Sequence, residues 1–152
     1  MKRAWFAVFL IAGIAGWSED PPAPSTDRVG FPEGYKDKYA VARTSEVPEK
    51  GEVKVIYANP AAASAKGGPY PYGSVIVMET RKSGTVTGLH VMRKERGFGE
   101  AYQQNRTGEW EYTEYRPDRS YITTPQKSFA CAGCHLKAGA GKDFVYGGPA
   151  GR

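Results

Sequence analysis

Alternation of apolar and polar positions marks the strands of this chain. In the clearest case, Val53, Val55 and Tyr57 share one face of a strand predicted over residues 52–58, while Lys54 takes the other face. Similar patterns predict further strands over residues 39–47, 73–81, 86–94 and 110–116. Each of these segments has the length of an ordinary strand and ends near turn-forming residues.

Short helices are predicted between the strands and near the C-terminus. Asn59 can cap a helix that begins at Pro60, because an Asn side chain accepts from free backbone N–H groups and proline suits the first turn. A second helix is predicted over residues 127–135, and residues 97–106 are predicted to be irregular or a short helix. The predicted fold class is mainly β (α+β), an antiparallel sheet with a few short helices.

Residues 74–94 predict an antiparallel hairpin, and the length of its turn decides which residues face each other. A three-residue turn at 83–85 places Met78 directly opposite His90, on the same face. A two-residue turn places Met78 opposite Leu89 and directs His90 to the other face. A β-bulge in either strand would change this parity.

The ends of the chain predict an exported protein with one folded domain. Residues 1–16 are a short basic start followed by an apolar run, which is typical of a secretory signal peptide; an uncleaved anchor is the alternative. Residues 17–30 are rich in proline and predict a disordered tether. Residues 31–152 then form a single domain of ordinary size. No other apolar run is long enough to span a membrane, so the mature form is expected to have no membrane span.

The net charge of the chain excludes few classes of function. The chain has 21 Lys and Arg residues against 16 Asp and Glu residues, for a formal net charge of +5. This mild excess favours simple solubility, and attraction to an acidic redox partner is the weaker interpretation. No basic cluster indicates a nucleic-acid partner.

The sequence Cys-Ala-Gly-Cys-His at residues 131–135 carries the chemistry. C-x-x-C-H is typical of covalent c-type haem attachment, in which Cys131 and Cys134 bind the two vinyl groups and His135 ligates the iron. These are the only two cysteines of the chain. A redox dithiol and half of a zinc site are the alternatives, but zinc needs four ligands and His90 is the only other histidine. Because bacteria attach c-type haem outside the cytoplasm, a periplasmic location is expected.

With this motif near the C-terminus and a β-rich body before it, the chain resembles the cytochrome P-460 family, which includes the cytochromes c′-beta. The matching segments occur in the family's order: Phe-Pro-Glu-Gly-Tyr at 31–35, Ile-Tyr-Ala-Asn-Pro at 56–60, Tyr-Gly-Ser-Val-Ile-Val at 72–77, Gly-Leu at 88–89, the motif at 131–135 and Asp-Phe-Val-Tyr at 143–146. The resemblance implies a periplasmic homodimer of β-rich subunits, each with one haem c near a sheet. It also implies nitrogen-oxide chemistry, since members oxidise hydroxylamine or bind nitric oxide.

The chain departs from the hydroxylamine-oxidising members at two positions. Those members carry a lysine, cross-linked to the haem, just after the Gly-[Ser/Thr]-Val-x-Val run, and Met78 holds that position here. Neither Lys66 nor Lys82 fills it. Because a thioether cannot form an amine-type cross-link, the resemblance argues against hydroxylamine oxidation. A distal carboxylate of those members is replaced here by His90.

Three arrangements are open for the side of the iron opposite His135. The expectation is Met78 as the sixth ligand, because a soft thioether favours ferrous iron and raises the reduction potential. His90 is the rival, since imidazole is the better ligand for ferric iron. The third arrangement is an open or water-bound site, with Met78 as ordinary packing. The family places both the Met78 and the His90 positions at the haem, which favours the three-residue turn, and Met92 is expected in the core.

Four further residues are weaker candidates for haem contacts. Trp110 and Tyr112 could line the haem, but a place in the core of the sheet is the stronger expectation. Arg106 and Arg116 could pair with the haem propionates, but solvated side chains are the simpler expectation.

The sequence supports three hypotheses for function and leaves open whether the chain is an enzyme. The first is an electron carrier or redox sensor with a capped haem and a redox partner protein. The second is a protein that binds nitric oxide, with a displaceable Met78 or a vacant face. The third, a hydroxylamine-oxidising enzyme, is the least favoured.

Overall fold

The computed structural model describes residues 27–66 and 69–147. Five strands form one antiparallel sheet in which each strand pairs with the next along the chain. The strands are β1 (Ala40–Val47), β2 (Glu52–Ala58), β3 (Val75–Lys82), β4 (Thr85–Lys94) and β5 (Trp110–Tyr115). Thus β1 and β5 form the two edges of the sheet, and the predicted mainly β fold is confirmed.

Three α-helices and three 3-10 helices complete the fold. The α-helices are α1 (Tyr35–Lys38), α2 (Pro60–Ser64) and α3 (Pro125–Leu136). The 3-10 helices cover Pro48–Lys50, Phe98–Asn105 and Ala140–Lys142. No helix within the two described segments is long and apolar enough to cross a bilayer.

Side-chain caps fix where α2 and α3 begin. The Asn59 side chain accepts from the N–H of Ala62 (2.9 Å), as predicted. Thr124 caps α3 by accepting from the N–H of Lys127 (3.3 Å), and Pro125 takes the first turn. Because of this cap, α3 begins two residues before the predicted start at 127.

The two faces of the sheet pack against different parts of the chain. One face packs against the N-terminal segment and α1, in a core that includes Val29, Tyr35, Val55, Tyr57, Val77 and Leu89. The other face lies beneath α3 and the C-terminal segment, in a core that includes Ala58, Ile76, Met92, Tyr112, Ala132 and Val145. We call this second side of the sheet the α3 face.

The β3–β4 hairpin has the predicted register, but its turn is shorter than predicted and a β-bulge compensates. Lys82 pairs with Thr85, so the turn has two residues, and the three-residue turn favoured from the sequence is wrong. Ser83 and Gly84 take positive φ angles (48° and 80°), as the tight turn of a two-residue hairpin requires. The pairing then shifts between Thr80 and Arg81 at a β-bulge on the β4 side.

Because of this bulge, Met78 and His90 lie on the same face even though the turn has only two residues. Thr80 pairs with Gly88 while Arg81 pairs with Val86, so one residue of β4 is left over. Met78 therefore lies directly opposite His90, and Leu89 belongs to the core on the other side of the sheet.

The folded domain begins earlier than predicted. Val29 is buried, Arg28 forms an ion pair with the buried Glu111, and Asp27 accepts from the hydroxyl of Tyr115 (2.7 Å). Residues 27–30, which were predicted to belong to the tether, therefore pack on the domain. The predicted signal peptide (1–16) and the rest of the tether (17–26) lie outside the described residues.

Glu79 is a buried carboxylate on the face away from α3. It is 0 % exposed and accepts from the Tyr35 hydroxyl and from Arg81 Nε (2.6 Å), and Lys36 Nζ lies 3.0 Å away. Burial alone would raise the pKa of this carboxyl. The hydrogen bonds from Tyr35, Lys36 and Arg81 outweigh burial and hold the pKa below its ordinary value of 4.5.

Replacing Glu79 with Gln is expected to lower the free energy of unfolding by about 3 kcal/mol at neutral pH, because the cations then lose their buried partner. Since the pKa is depressed in the folded state, this stabilisation is present above the ordinary carboxyl pKa and is lost as the pH falls through the folded-state value. Urea unfolding at a series of pH values measures it, with Glu46→Gln, an exposed position, as the control. A stability difference that stays constant with pH would contradict this account.

Candidate haem site

A cavity of about 430 Å³ lies between the α3 face of the sheet and α3 itself. Its size is that of a small-molecule or cofactor site. The sheet contributes Ala42, Arg43, Ser45, Lys54, Ile56, Ala58, Ile76, Met78, His90, Met92 and Tyr112 to its wall. Helix α3 contributes Cys131, Cys134 and His135, and the C-terminal segment contributes Val145, Tyr146 and Gly147. All five site residues predicted from the sequence therefore line one cavity.

The two thiols of α3 are free in this fold. Cys131 is half-buried and Cys134 is exposed, and neither forms a disulfide. Burial raises the pKa of the Cys131 thiol, which favours its protonated form. Within residues 27–66 and 69–147, no three His, Cys, Asp or Glu side chains cluster as a metal site requires, so the zinc alternative gains no further ligands from them.

His135 is held in one tautomer by the chain that follows α3. Its Nδ1 lies 2.7 Å from the carbonyl oxygen of Phe144. A carbonyl can only accept, so Nδ1 carries the proton and Nε2 keeps its lone pair. Burial lowers the pKa of the imidazole, which also favours the neutral form. His135 therefore offers an oriented, unprotonated Nε2.

The Phe144 carbonyl is positioned by a network around Asp143. Asp143 forms an ion pair with Lys94 of β4 (2.6 Å) and accepts from the N–H of Tyr70 (2.9 Å). The backbone oxygen of Asp143 accepts from the indole N–H of Trp110 (2.9 Å). Asp143 and Phe144 both take left-handed conformations (φ 49° and 62°), which cost free energy for residues with a β-carbon. The network holds the turn in this conformation.

Met78 and His90 lie side by side in one row of residues that crosses the sheet. The row has one residue on each strand, and each residue is the cross-strand partner of the next. From β1 to β5 the residues are Arg43, Ile56, Met78, His90 and Glu114. Cross-strand partners share one face of a sheet, so the whole row belongs to the α3 face. The hairpin thus places a thioether and an imidazole next to each other in the cavity wall.

The surroundings of His90 favour its neutral form. Its pKa is lowered mainly by burial, and Glu114 partly opposes this effect. Lys54 and Lys127 lower the pKa further. Lys127 of α3 also lies 3.0 Å from the carboxylate of Glu114. His90 can therefore donate one hydrogen bond and accept another.

The weaker candidates divide between core and cavity. Trp110 is fully buried in the core and does not line the cavity, whereas Tyr112 does, with its ring centroid 4.6 Å from that of His135. Arg106 pairs with Glu109 and Arg116 is exposed, and neither is among the residues that line the cavity.

Sequence reasoning missed Arg43 and Lys54, the two basic residues that do line the cavity. For Lys54 a signal existed, because the alternation over 52–58 placed it with Ile56 on one face. For Arg43 the signal is weaker, because β1 is an edge strand that is exposed along most of its length.

In a comparison with protein-family models, the model described as Cytochrome P460 matches residues 32–147. The chain belongs to the cytochrome P460 family. This confirms the resemblance drawn from the sequence, and it identifies the chain as a haem-binding cytochrome with an iron centre. No curated protein sequence matches the chain significantly.

The cavity of this cytochrome P460 chain fits a haem. Its wall is mostly apolar, which suits a porphyrin, and it offers two free thiols and a histidine with an available Nε2. None of the described residues that line the cavity is Asp or Glu, so none of them would repel the propionates. The donor set of two thiols, an imidazole and a thioether is the one that haem proteins use.

Proposed function

We propose that this chain is an exported c-type cytochrome with one covalent haem and His135/Met78 ligation, acting in electron transfer or redox sensing. The observation that supports it best is that Cys131, Cys134, His135 and Met78 line the same cavity. Their sequence separation is large, so only the fold brings the thioether of β3 to the motif on α3.

Each residue has a distinct task in this proposal. Bound haem supplies a one-electron iron centre. Cys131 and Cys134 would hold the group on α3, each thiol adding across one vinyl group to form a thioether bond. His135 presents Nε2, and its bond to Phe144 keeps the ring from rotating and raises its basicity. Met78 adds a neutral sulfur ligand that stabilises the ferrous state.

A six-coordinate site suits electron transfer because neither oxidation state has to gain or lose a ligand. The neighbours of Met78 support this role. Ile56 pairs with it on β2, and Ile76 and Met92 line the same cavity. Such apolar neighbours exclude water and favour the less charged ferrous state.

Nitric oxide binding is the second candidate, and the position of His90 favours it. If Met78 is displaced, the imidazole of His90, directly across from it, can donate a hydrogen bond to a bound diatomic molecule. Hydroxylamine oxidation is less favoured because Met78 replaces the cross-linking lysine. The lysine that does line the cavity is Lys54, on a different strand.

The setting of the protein is also part of this proposal. We expect a periplasmic protein, because the predicted signal peptide and the haem motif agree, and we expect a homodimer. The edge strand β1 and the exposed side chains of Val41, Tyr72 and Tyr146 offer surface for such contact. Light scattering on the mature protein measures its oligomeric state.

Covalent attachment is expected to survive extraction with acidified organic solvent, and one haem per chain is expected from the ferrous pyridine complex. The protein for this test is the mature chain, produced in a host that attaches c-type haem. The double variant Cys131→Ala/Cys134→Ala is expected to lose its pigment in the same solvent. Colourless wild-type protein, or pigment lost from it, would sink the proposal, and a strongly red-shifted ferrous Soret band would indicate a macrocycle cross-link instead.

A further inference from the structure

We propose that Arg43 and Lys54 bind the two haem propionates and so fix which edge of the macrocycle faces β1 and β2. This inference rests on the proposed covalent haem. It replaces Arg106 and Arg116, the weaker candidates from the sequence, neither of which lines the cavity.

The two cations and α3 lie toward opposite edges of the sheet. Helix α3, which bears both cysteines, packs against β5 at one edge of the sheet. Arg43 lies on β1, the opposite edge strand, and Lys54 lies on its neighbour β2. Three strand spacings separate β5 from β2, which is about 14 Å.

The chemistry of haem matches this separation. Its two vinyl groups and its two propionates leave opposite edges of the ring. If Cys131 and Cys134 hold the vinyl edge near α3, the propionate edge would lie on the side of the cavity formed by β2 and β1. The two carboxylates then meet the part of the cavity wall that is formed by Arg43 and Lys54.

The charge of the cavity wall is positive at Arg43 and Lys54. Among the described residues, Arg43 and Lys54 are the only Lys or Arg residues in the wall of this cavity, and none of the described wall residues is Asp or Glu. Neither cation has an ion pair or a hydrogen bond through its side chain to any residue in 27–66 or 69–147. By contrast, Lys94 and Lys127, on the same side of the fold, are each paired with a carboxylate.

The two cations are also close enough to act together. Arg43 pairs with Ile56, and Lys54 lies two residues before Ile56, so the cations are diagonal neighbours on one face. Such neighbours have Cα atoms about 7–8 Å apart. Two adjacent carboxylates can therefore each receive a charge-assisted hydrogen bond, and the guanidinium can bind in the bidentate manner.

The guanidinium of Arg43 has a prepared place beside the cavity. It packs on Gly147 so closely that a β-carbon there would lie 2.0 Å from Nη1. Gly147 has φ +54° and also lines the cavity. The absence of a side chain at 147 thus lets the C-terminal segment hold Arg43 at the cavity wall.

The test measures the reduction potential of the haem-loaded protein. Arg43→Gln/Lys54→Gln is expected to lower the equilibrium constant for reduction about tenfold, which lowers the reduction potential by about 59 mV for a one-electron couple. The reason is that positive charges near the haem stabilise its ferrous state, and the variant removes two of them. Each single variant is expected to give about a threefold decrease, and Arg43→Lys, which keeps the charge, is expected to stay near wild type. The single variants provide the test if the double variant does not fold.

Arg116→Gln is the matched control, since it removes the same charge from an exposed residue outside the cavity. A potential for the double variant equal to that of this control, with the haem spectra intact, would overturn the inference while leaving the proposed function in place. Loss of haem from wild-type protein in acidified solvent would instead remove the proposed function. If nitrite shifts the wild-type potential, and the double variant loses only that shift, the two cations bind a free oxyanion and the inference is wrong.

Discussion

Met78→Ala is expected to convert low-spin ferric and ferrous spectra into high-spin spectra. If sulfur completes the coordination of the iron, its removal leaves His135 as the only protein ligand, and Ala cannot reach from β3. Methionine also stabilises the ferrous state, so the reduction potential is expected to fall in the same variant. Absorption spectra of both oxidation states and a redox titration measure the two effects.

Met92→Ala is the matched control for this substitution. Met92 lies on β4, on the same face of the sheet, and lines the same cavity. Its removal from the core is expected to cost about 2–5 kcal/mol of stability and to leave the low-spin spectrum unchanged. A comparison of the two variants therefore separates loss of a ligand from loss of packing.

Each other spectral result has a definite meaning. If Met78→Ala stays low-spin and His90→Ala becomes high-spin, His90 is the ligand and the proposed ligation is wrong. High-spin wild-type protein would mean an open site, with Met78 as packing. Nitric oxide binding separates the same cases, because association limited by displacement of Met78 is slow and becomes fast in Met78→Ala.

The sequence predicts the strands well because their signals are local. Residues 52–58 alternate without interruption, and the observed strand has the same bounds. Helix α2 begins where Asn59 and Pro60 predict it, since the cap needs only a side chain and the backbone three residues on. Errors appear where a second segment takes part, as at residues 27–30, which are held on the domain by contacts with β5 and with Phe98.

The hairpin shows why the site could be predicted only in part. A two-residue turn at Ser83 and Gly84 agrees with the local sequence, but it places His90 on the wrong face unless a bulge follows. The composition of β4 gives little indication of that bulge beyond Gly88, which has no side chain to pack. The family resemblance predicts the observed register of Met78 and His90, but the three-residue turn that it favours is wrong, because a two-residue turn and a bulge give the same register.

Contacts between distant segments were beyond sequence reasoning. Lys94 and Asp143 are 49 residues apart, and nothing in either segment predicts that they pair. The same holds for Arg43 and Lys54, whose shared cavity wall depends on the register of β1 with β2. In both cases the structure, and not the local sequence, brings the two side chains to the same region.

The contacts of Asp143 lead to a prediction that does not follow from the C-x-x-C-H motif. Asp143→Ala removes the ion pair with Lys94, in which both side chains are only 12 % exposed, and also the bond from the Tyr70 N–H. Because the pair is largely but not fully buried, breaking it is expected to cost about 3 kcal/mol of unfolding free energy, the low end for buried pairs. The left-handed turn at 143–144 then loses its anchor, and the Phe144 carbonyl moves away from His135.

Loss of that carbonyl also acts on the iron ligand. A hydrogen bond from Nδ1 makes the imidazole a stronger donor and favours ferric iron, so losing it is expected to raise the reduction potential. This is opposite in sign to Met78→Ala, and a purely structural role for Asp143 would not produce it. Asp118→Ala is the control, because Asp118 is exposed and bonds only to Ser120 among the described residues. If Asp143→Ala lowers stability but leaves the potential of the folded protein unchanged, the network supports the fold without positioning His135.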